Sequence, residues 1–294
     1  LRDSVVLATK SGFAAGQGPH MGGNGSKHIH SALPGSLKRL RTDYIDLYWV
    51  HVWDSVTPAE ELLETMTSLV RAGKIRYWGL SNTPAWYVAK VATLAATRGL
   101  VGPIAMQYFY SLTNRDIEDE HAPVAAEFGL GIVPWSPLSF GFLSGKYDRA
   151  AVEAAAPRSA GLPKDAAAAG DQRPENDKRL DGANPFGDTL FTERNWKIVE
   201  VLKQVAKESG ETPARLALAW VTQRPGVSST LMGVSRVAQV AENIASLELV
   251  ISAEHRAALD AVSAPDPRML YTLFTSAVRQ FAVFGGSNVT SWRS

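Results

Sequence analysis

The chain has 294 residues, 45% of them hydrophobic, enough to bury the core of one large α/β domain or of two ordinary ones. Its 30 basic against 29 acidic residues give a formal net charge of +1 with no long basic run, so there is no electrostatic footprint for nucleic acid or an anionic membrane, and a small-molecule or protein partner is expected. Zero cysteines exclude disulfides, thiolate metal sites and a cysteine nucleophile, and no apolar run reaches the about 18 residues of a membrane span, so a soluble, cytoplasmic chain is expected.

The first apolar run, VVLATK (5–10), has strand length and ends in Lys10. It stands close behind Leu1, with no methionine in front, and an N-terminal portion is expected to be missing. SKHIHSALPGSLKRLRTD follows with a helical pattern that Pro34 and Gly35 should kink or delay, since an interior proline costs about 3 kcal/mol. YIDLYWVH (44–51) is the second strand candidate, and His51 shares a face with Leu47 and Trp49 by two-residue alternation. In PAEELLETMTSLVRAGK, Thr57 is the candidate N-cap, and Leu62, Leu63, Met66, Leu69 and Val70 form one apolar stripe.

Further strands are predicted at IRYWGLS (75–81), IAMQYF (104–109), LGIVPWS (130–136) and TLMGVS (230–235). Helical patterns lie between and after them, in AWYVAKVATLAATRG, DEHAPVAAEFG, NWKIVEVLKQVAKESG, TPARLALAWVTQRPG and VAQVAENIASLE. Residues 148–188 carry alanines, prolines and charges without periodicity and read as a long lid loop. The tail, residues 265–294, resumes apolar character and is expected to pack over the rest of a single domain, residues 1–294.

Near-continuous apolar strands alternating with helices argue a parallel sheet covered by helices. No GxGxxG or GxxxxGK[ST] motif marks a Rossmann or P-loop sheet. Polar residues instead close successive strands: Lys10, His51, Ser81 with Asn82, Gln107, Trp135 with Ser136, and Ser235 with Arg236. In a (βα)₈ barrel those ends form the active-site face. A half-desolvated Lys10 would tune a neighbouring acid, or simply snorkel to water. His51 would polarise a carbonyl, or be a satisfied buried histidine. Gln107 would meet a ligand amide or a backbone group. Trp135 would stack on a flat ring or plug the barrel. Around Gly233, Ser235 is a plausible helix N-cap, and Arg236 beside that helix start suits a phosphate monoester. No HExxH occurs, and His20, His28 and His30 lie in or beside a glycine-rich loop, so no metal site is expected.

Taken together, VVLATKSG, RLRTDYIDLYWVHVWD, LVRAGKIRYWGLSN, AMQYFYSL, GIVPWSPLSFGFLSGKY and LMGVSRVAQVAEN resemble the aldo-keto reductases in order and spacing. The resemblance implies a (βα)₈ TIM barrel, with about six of eight units in this chain, and an NADP(H)-dependent oxidoreductase of aldehydes, ketones or the matching alcohols. By that likeness Lys10 and His51 are tetrad members. Ser81, Asn82 and Gln107 hold the nicotinamide carboxamide, and Trp135 stacks on its ring. Ser136, Leu138, Gly141, Ser144 and Lys146 line the pyrophosphate path; Ser235 and Arg236 take the 2′-phosphate; and Gln239, Glu242 and Asn243 approach the adenine end. The family carries the tetrad aspartate and tyrosine before the LATK strand, so they are expected in an absent N-terminal segment, and this chain alone is expected to be weak or inactive. Potassium-channel beta subunits look similar across the same motifs, so a cofactor-binding regulatory subunit is the rival reading. Oligomeric state stays open.

Overall fold

The computed structural model describes residues 2–155, 180, 186 and 188–289. They belong to two compact units, Leu1–Ser263 and Ala264–Ser294. The larger unit is built on strands β1 (Ala8–Ser11), β2 (Ile45–Val50), β3 (Ile75–Ser81), β4 (Ala105–Phe109) and β5 (Gly131–Trp135). They pair in parallel and in chain order, which requires a crossover after each strand. Helices α1 (Ser26–Leu40), α2 (Ala59–Arg71), α3 (Ala85–Arg98) and α4 (His121–Phe128) make those crossovers. Gly99 and Gly129, with φ of 62° and 65°, end α3 and α4 in the left-handed conformation that only glycine adopts cheaply.

Strand alternation sorts the side chains. Tyr48, Val50, Trp78, Leu80, Met106, Tyr108 and Ile132 are buried in the main core under the helices. Trp49, Ala105 and Val133, with Leu47 against them, form a separate cluster on the opposite, inner face. There Gly79 is required by packing: a Cβ would stand 2.5 Å from the Trp49 ring and 2.7 Å from the Ala105 carbonyl.

The strand expected at TLMGVS does not form. The chain runs beside β5 earlier, where Ile132 N donates to the Gly226 carbonyl at 2.8 Å, Ser228 N to Ile132 at 2.9 Å and Leu231 N to Pro134 at 2.9 Å. Pro134 faces this side of the sheet and has no N–H to return, so the ladder loses a rung and residues 231–238 stay exposed. Among the described residues the architecture is therefore α/β with a parallel sheet of five strands.

Two other expectations change. Helix α1 runs unbroken through Pro34 and Gly35, because Pro34 lies on its exposed side, where water satisfies the carbonyl that the missing N–H releases. Thr57 does not cap α2; Pro58 does, and Thr57 instead donates its N–H and hydroxyl to Asp54, at 3.0 and 2.6 Å.

After β5 come a 3₁₀ segment (Ser139–Ser144) and helices α5 (Arg149–Ala154), α6 (Glu193–Ser209), α7 (Pro213–Thr222), α8 (Val237–Ala245) and α9 (Ala253–Val262). Helix α5, capped by Asp148, occupies the start of the expected lid loop. Residues 156–179, 181–185 and 187 of that loop lie outside the described residues. Helix α9, capped by Ser252, is an element that the sequence reading missed. The smaller unit contains α10 (Met269–Thr272), α11 (Ser276–Val278) and a π-helical turn (Arg279–Val283). Among the described residues no helix is long and apolar enough to cross a membrane.

Candidate active site at the strand ends

The strand register stacks the candidate residues. Lys10 pairs with Trp49, Trp49 with Gly79, Gly79 with Ala105 and Ala105 with Gly131, which makes one layer across the inner face. One step toward the C-terminal ends, Ser81 pairs with Gln107 and Gln107 with Val133; a further step brings Phe109 opposite Trp135. His51 follows β2 with the parity of Trp49, and its N–H donates to the Ser11 carbonyl at 2.8 Å. Lys10, His51, Ser81, Gln107 and Trp135 therefore share one face.

Lys10 and His51 lie close enough for the lysine charge to act on the imidazole. Among the described residues the Lys10 amine has no ion pair or hydrogen bond, and burial holds its pKa below the usual lysine range. The His51 pKa is pushed down to about 4, first by burial and then by the Lys10 charge. The imidazole is therefore neutral at physiological pH and can donate one hydrogen bond. Its ring makes no hydrogen bond within the described residues and touches Phe13, with centroids 4.0 Å apart. Phe13 went unnoticed in the sequence, since a lone loop aromatic has no periodicity to mark it.

The amides divide into one that is engaged and one that is not. Asn82 donates to the His51 carbonyl at 2.9 Å and to Ser81 Oγ at 3.0 Å, while its Oδ1 accepts from the Trp135 indole at 3.1 Å. Asn82 thus joins β2, β3 and β5, and both its amide protons are in use. Gln107 is 2% exposed and its side chain makes no hydrogen bond within the described residues. Its amide shares the inner face with Trp135 and, uncommitted, fits the carboxamide end of a nicotinamide cofactor. One face of Trp135 is already stacked against Phe109, with centroids at 4.9 Å.

Beyond β5 the chain turns tightly. Ser136 (φ 50°), Ser139, Phe140 and Gly141 all have left-handed backbones. Leu138 O accepts from the amides of Gly141 and Leu143, Ser144 Oγ donates to Gly141 O at 2.7 Å, and the Lys146 side chain crosses Gly141 so closely that a Cβ there would lie 3.2 Å from its amine. Ser139 is fixed below by Ser111 and Thr113. The Lys146 amine lies over the Tyr147 ring, 5.8 Å from its centroid.

At the expected phosphate site, Gly233, Ser235 and Arg236 are exposed, and Arg236, not Ser235, is the N-cap of α8. The Gln239 amide oxygen accepts from Ser235 N at 2.8 Å, Ser235 Oγ at 3.1 Å and Arg236 N at 3.1 Å, so in this state it fills the place an anion would take. Glu242 accepts from Thr212, and Asn243 is buried. Among the described residues no cluster of His, Asp and Glu could hold a metal ion.

The profile of the Aldo/keto reductase family matches residues 1–264. The chain is 37% identical over 250 residues to the "Probable voltage-gated potassium channel subunit beta" of rice, covering 85% of this chain and 70% of that protein. It is 34% identical over 258 residues to the "Uncharacterized oxidoreductase YrpG" of Bacillus subtilis (86% and 70%). To the "Probable aldo-keto reductase 1" of Glycine max it is 33% identical over 252 residues, covering 85% of this chain and 64% of that protein.

Proposed function

The chain belongs to the aldo/keto reductase family, and on that premise we propose that it binds NADP(H) and acts on an aldehyde or ketone, or on the matching alcohol. The observation that carries this reading is the unpaired Lys10 and neutral His51 on the same face as the uncommitted amide of Gln107. We further read the open sheet as part of a (βα)₈ barrel whose mouth is this face.

A bound nicotinamide would supply the hydride. His51, held neutral, donates a hydrogen bond to the carbonyl oxygen and fixes its direction. Lys10, kept as the nearest positive charge, lowers the pKa of the acid that protonates that oxygen. Gln107 holds the carboxamide, and Asn82 acts by fixing Trp135 and the His51 backbone. Ser235 and Arg236 read the 2′-phosphate once the Gln239 amide swings aside, and Lys146 meets the diphosphate.

Tyr48, Tyr77, Tyr108 and Tyr110 are not placed to be that acid. The Tyr108 hydroxyl donates to Thr83 O at 2.7 Å and that of Tyr110 to Glu118 at 2.6 Å; Tyr48 faces the helices; and Tyr77 is level with Ala8, a layer below Lys10. We assign binding and orientation to the face that carries Lys10, His51 and Gln107 and expect weak turnover or none. The test is NADPH consumption with an aromatic aldehyde. Slow but measurable oxidation that Lys10→Met and His51→Ala abolish supports the enzyme reading. NADPH binding with no turnover favours a regulatory subunit, the reading that the similarity to channel beta subunits also supports.

A further inference from the structure

Asn82 keeps a left-handed backbone, φ 47°, while its side chain serves three neighbours. Asparagine tolerates that conformation better than other residues with a Cβ, and here the surroundings hold it in place. The next residue anchors it. The carbonyl of buried Thr83 accepts two hydrogen bonds, from the Tyr108 hydroxyl at 2.7 Å and from His121 Nε2 at 3.0 Å. Thr83 Oγ1 in turn donates to Ser81 O at 3.0 Å, so the chain is held on both sides of Asn82.

The two donors also brace each other. The rings of Tyr108 and His121 lie 4.4 Å apart. Burial keeps the Tyr108 hydroxyl protonated and lowers the His121 pKa. A neutral His121 donating to a carbonyl carries its proton on Nε2, and its Nδ1 is buried without a partner among the described residues. The ring is therefore committed to a single bond, the one to Thr83. Tyr108 is adjacent to Gln107 on β4 but has the opposite parity, and His121 opens α4, so neither faces the mouth.

We propose that Tyr108 and His121 are positioning residues for the nicotinamide end of the cofactor site: by clamping the Thr83 carbonyl they fix the Asn82 turn, and through it the Trp135 indole. The inference rests on the cofactor reading above. Its test separates a local role at the nicotinamide end from a general one in stability. Dissociation constants for NADPH and for 2′-phospho-ADP-ribose, which lacks the nicotinamide, are measured for the wild type, Tyr108→Phe, His121→Leu and His121→Gln, with a melting curve for each. Tyr108→Phe and His121→Leu are expected to weaken NADPH by about five- to tenfold, the cost of one lost buried hydrogen bond, and to leave the fragment within about twofold. His121→Gln, which keeps a donor for Thr83, is expected to restore NADPH affinity to within about twofold of wild type. Equal weakening of both ligands, or of neither, overturns the positioning role, and an unfolded His121→Leu leaves Tyr108→Phe and His121→Gln to decide it. A wild type that binds neither compound contradicts the cofactor reading itself, and this inference with it.

Discussion

The Trp135 indole N–H donates to Asn82 Oδ1 at 3.1 Å, linking the end of β5 to the end of β3 across the intervening β4. Because the same amide reaches the His51 carbonyl, three strand ends are set by one side chain. Asn82→Ala should cost about 1–3 kcal/mol, since it strips partners from a half-buried indole and a carbonyl. Asn82→Gly relieves the left-handed backbone but loses the same bonds, so it should recover only part of the loss. Urea unfolding of both variants measures this.

The His51 pKa is pushed down to about 4 by burial first and by Lys10 second. Lys10→Met should therefore raise it only in part, leaving it below 6.5, as NMR titration of the ring would record. The same shift sets a pH dependence of stability. Between pH 6.5 and about 4 the unfolded chain binds a proton that folded His51 refuses, so stability should fall as pH falls through that window. Burial-lowered His121 acts with the same sign. Unfolding midpoints at several pH values, with His51→Gln as the control, check the direction.

Gly79 lies under the Trp49 ring with no room for a methyl group. Gly79→Ala should destabilise by about 1–3 kcal/mol through overpacking. Combined with Trp49→Leu the loss should shrink, and a double-mutant cycle would show the coupling.

Arg236 is assigned to the 2′-phosphate. Arg236→Ala should weaken NADPH by about tenfold or more and leave NADH nearly unchanged, because a charge-assisted bond is lost only with the phosphorylated cofactor. Titration with both cofactors reads the ratio.

The sequence showed the first five strands because each is a nearly unbroken apolar run ended by a polar residue, and Lys10 and His51 were visible for that reason. The sixth expected strand does not form, since the rung lost at Pro134 depends on which neighbour that proline faces. Helix α1 was under-read because the damage from Pro34 depends on exposure, which spacing alone does not reveal. Asn82 could be placed at the site from its position after β3, but its bond to Trp135 follows from register across two strands. The clamp on Thr83 joins residues 25 and 38 positions apart and leaves no local trace.

The central claim is that this face is a nicotinamide-cofactor site, and fluorescence titration with NADPH and NADH, in wild type and Gln107→Leu, tests it most directly. The account predicts saturable quenching of tryptophan emission by NADPH, tighter than by NADH, and a weakening of about tenfold in Gln107→Leu. Absence of binding by either cofactor, or binding indifferent to Gln107, would contradict it.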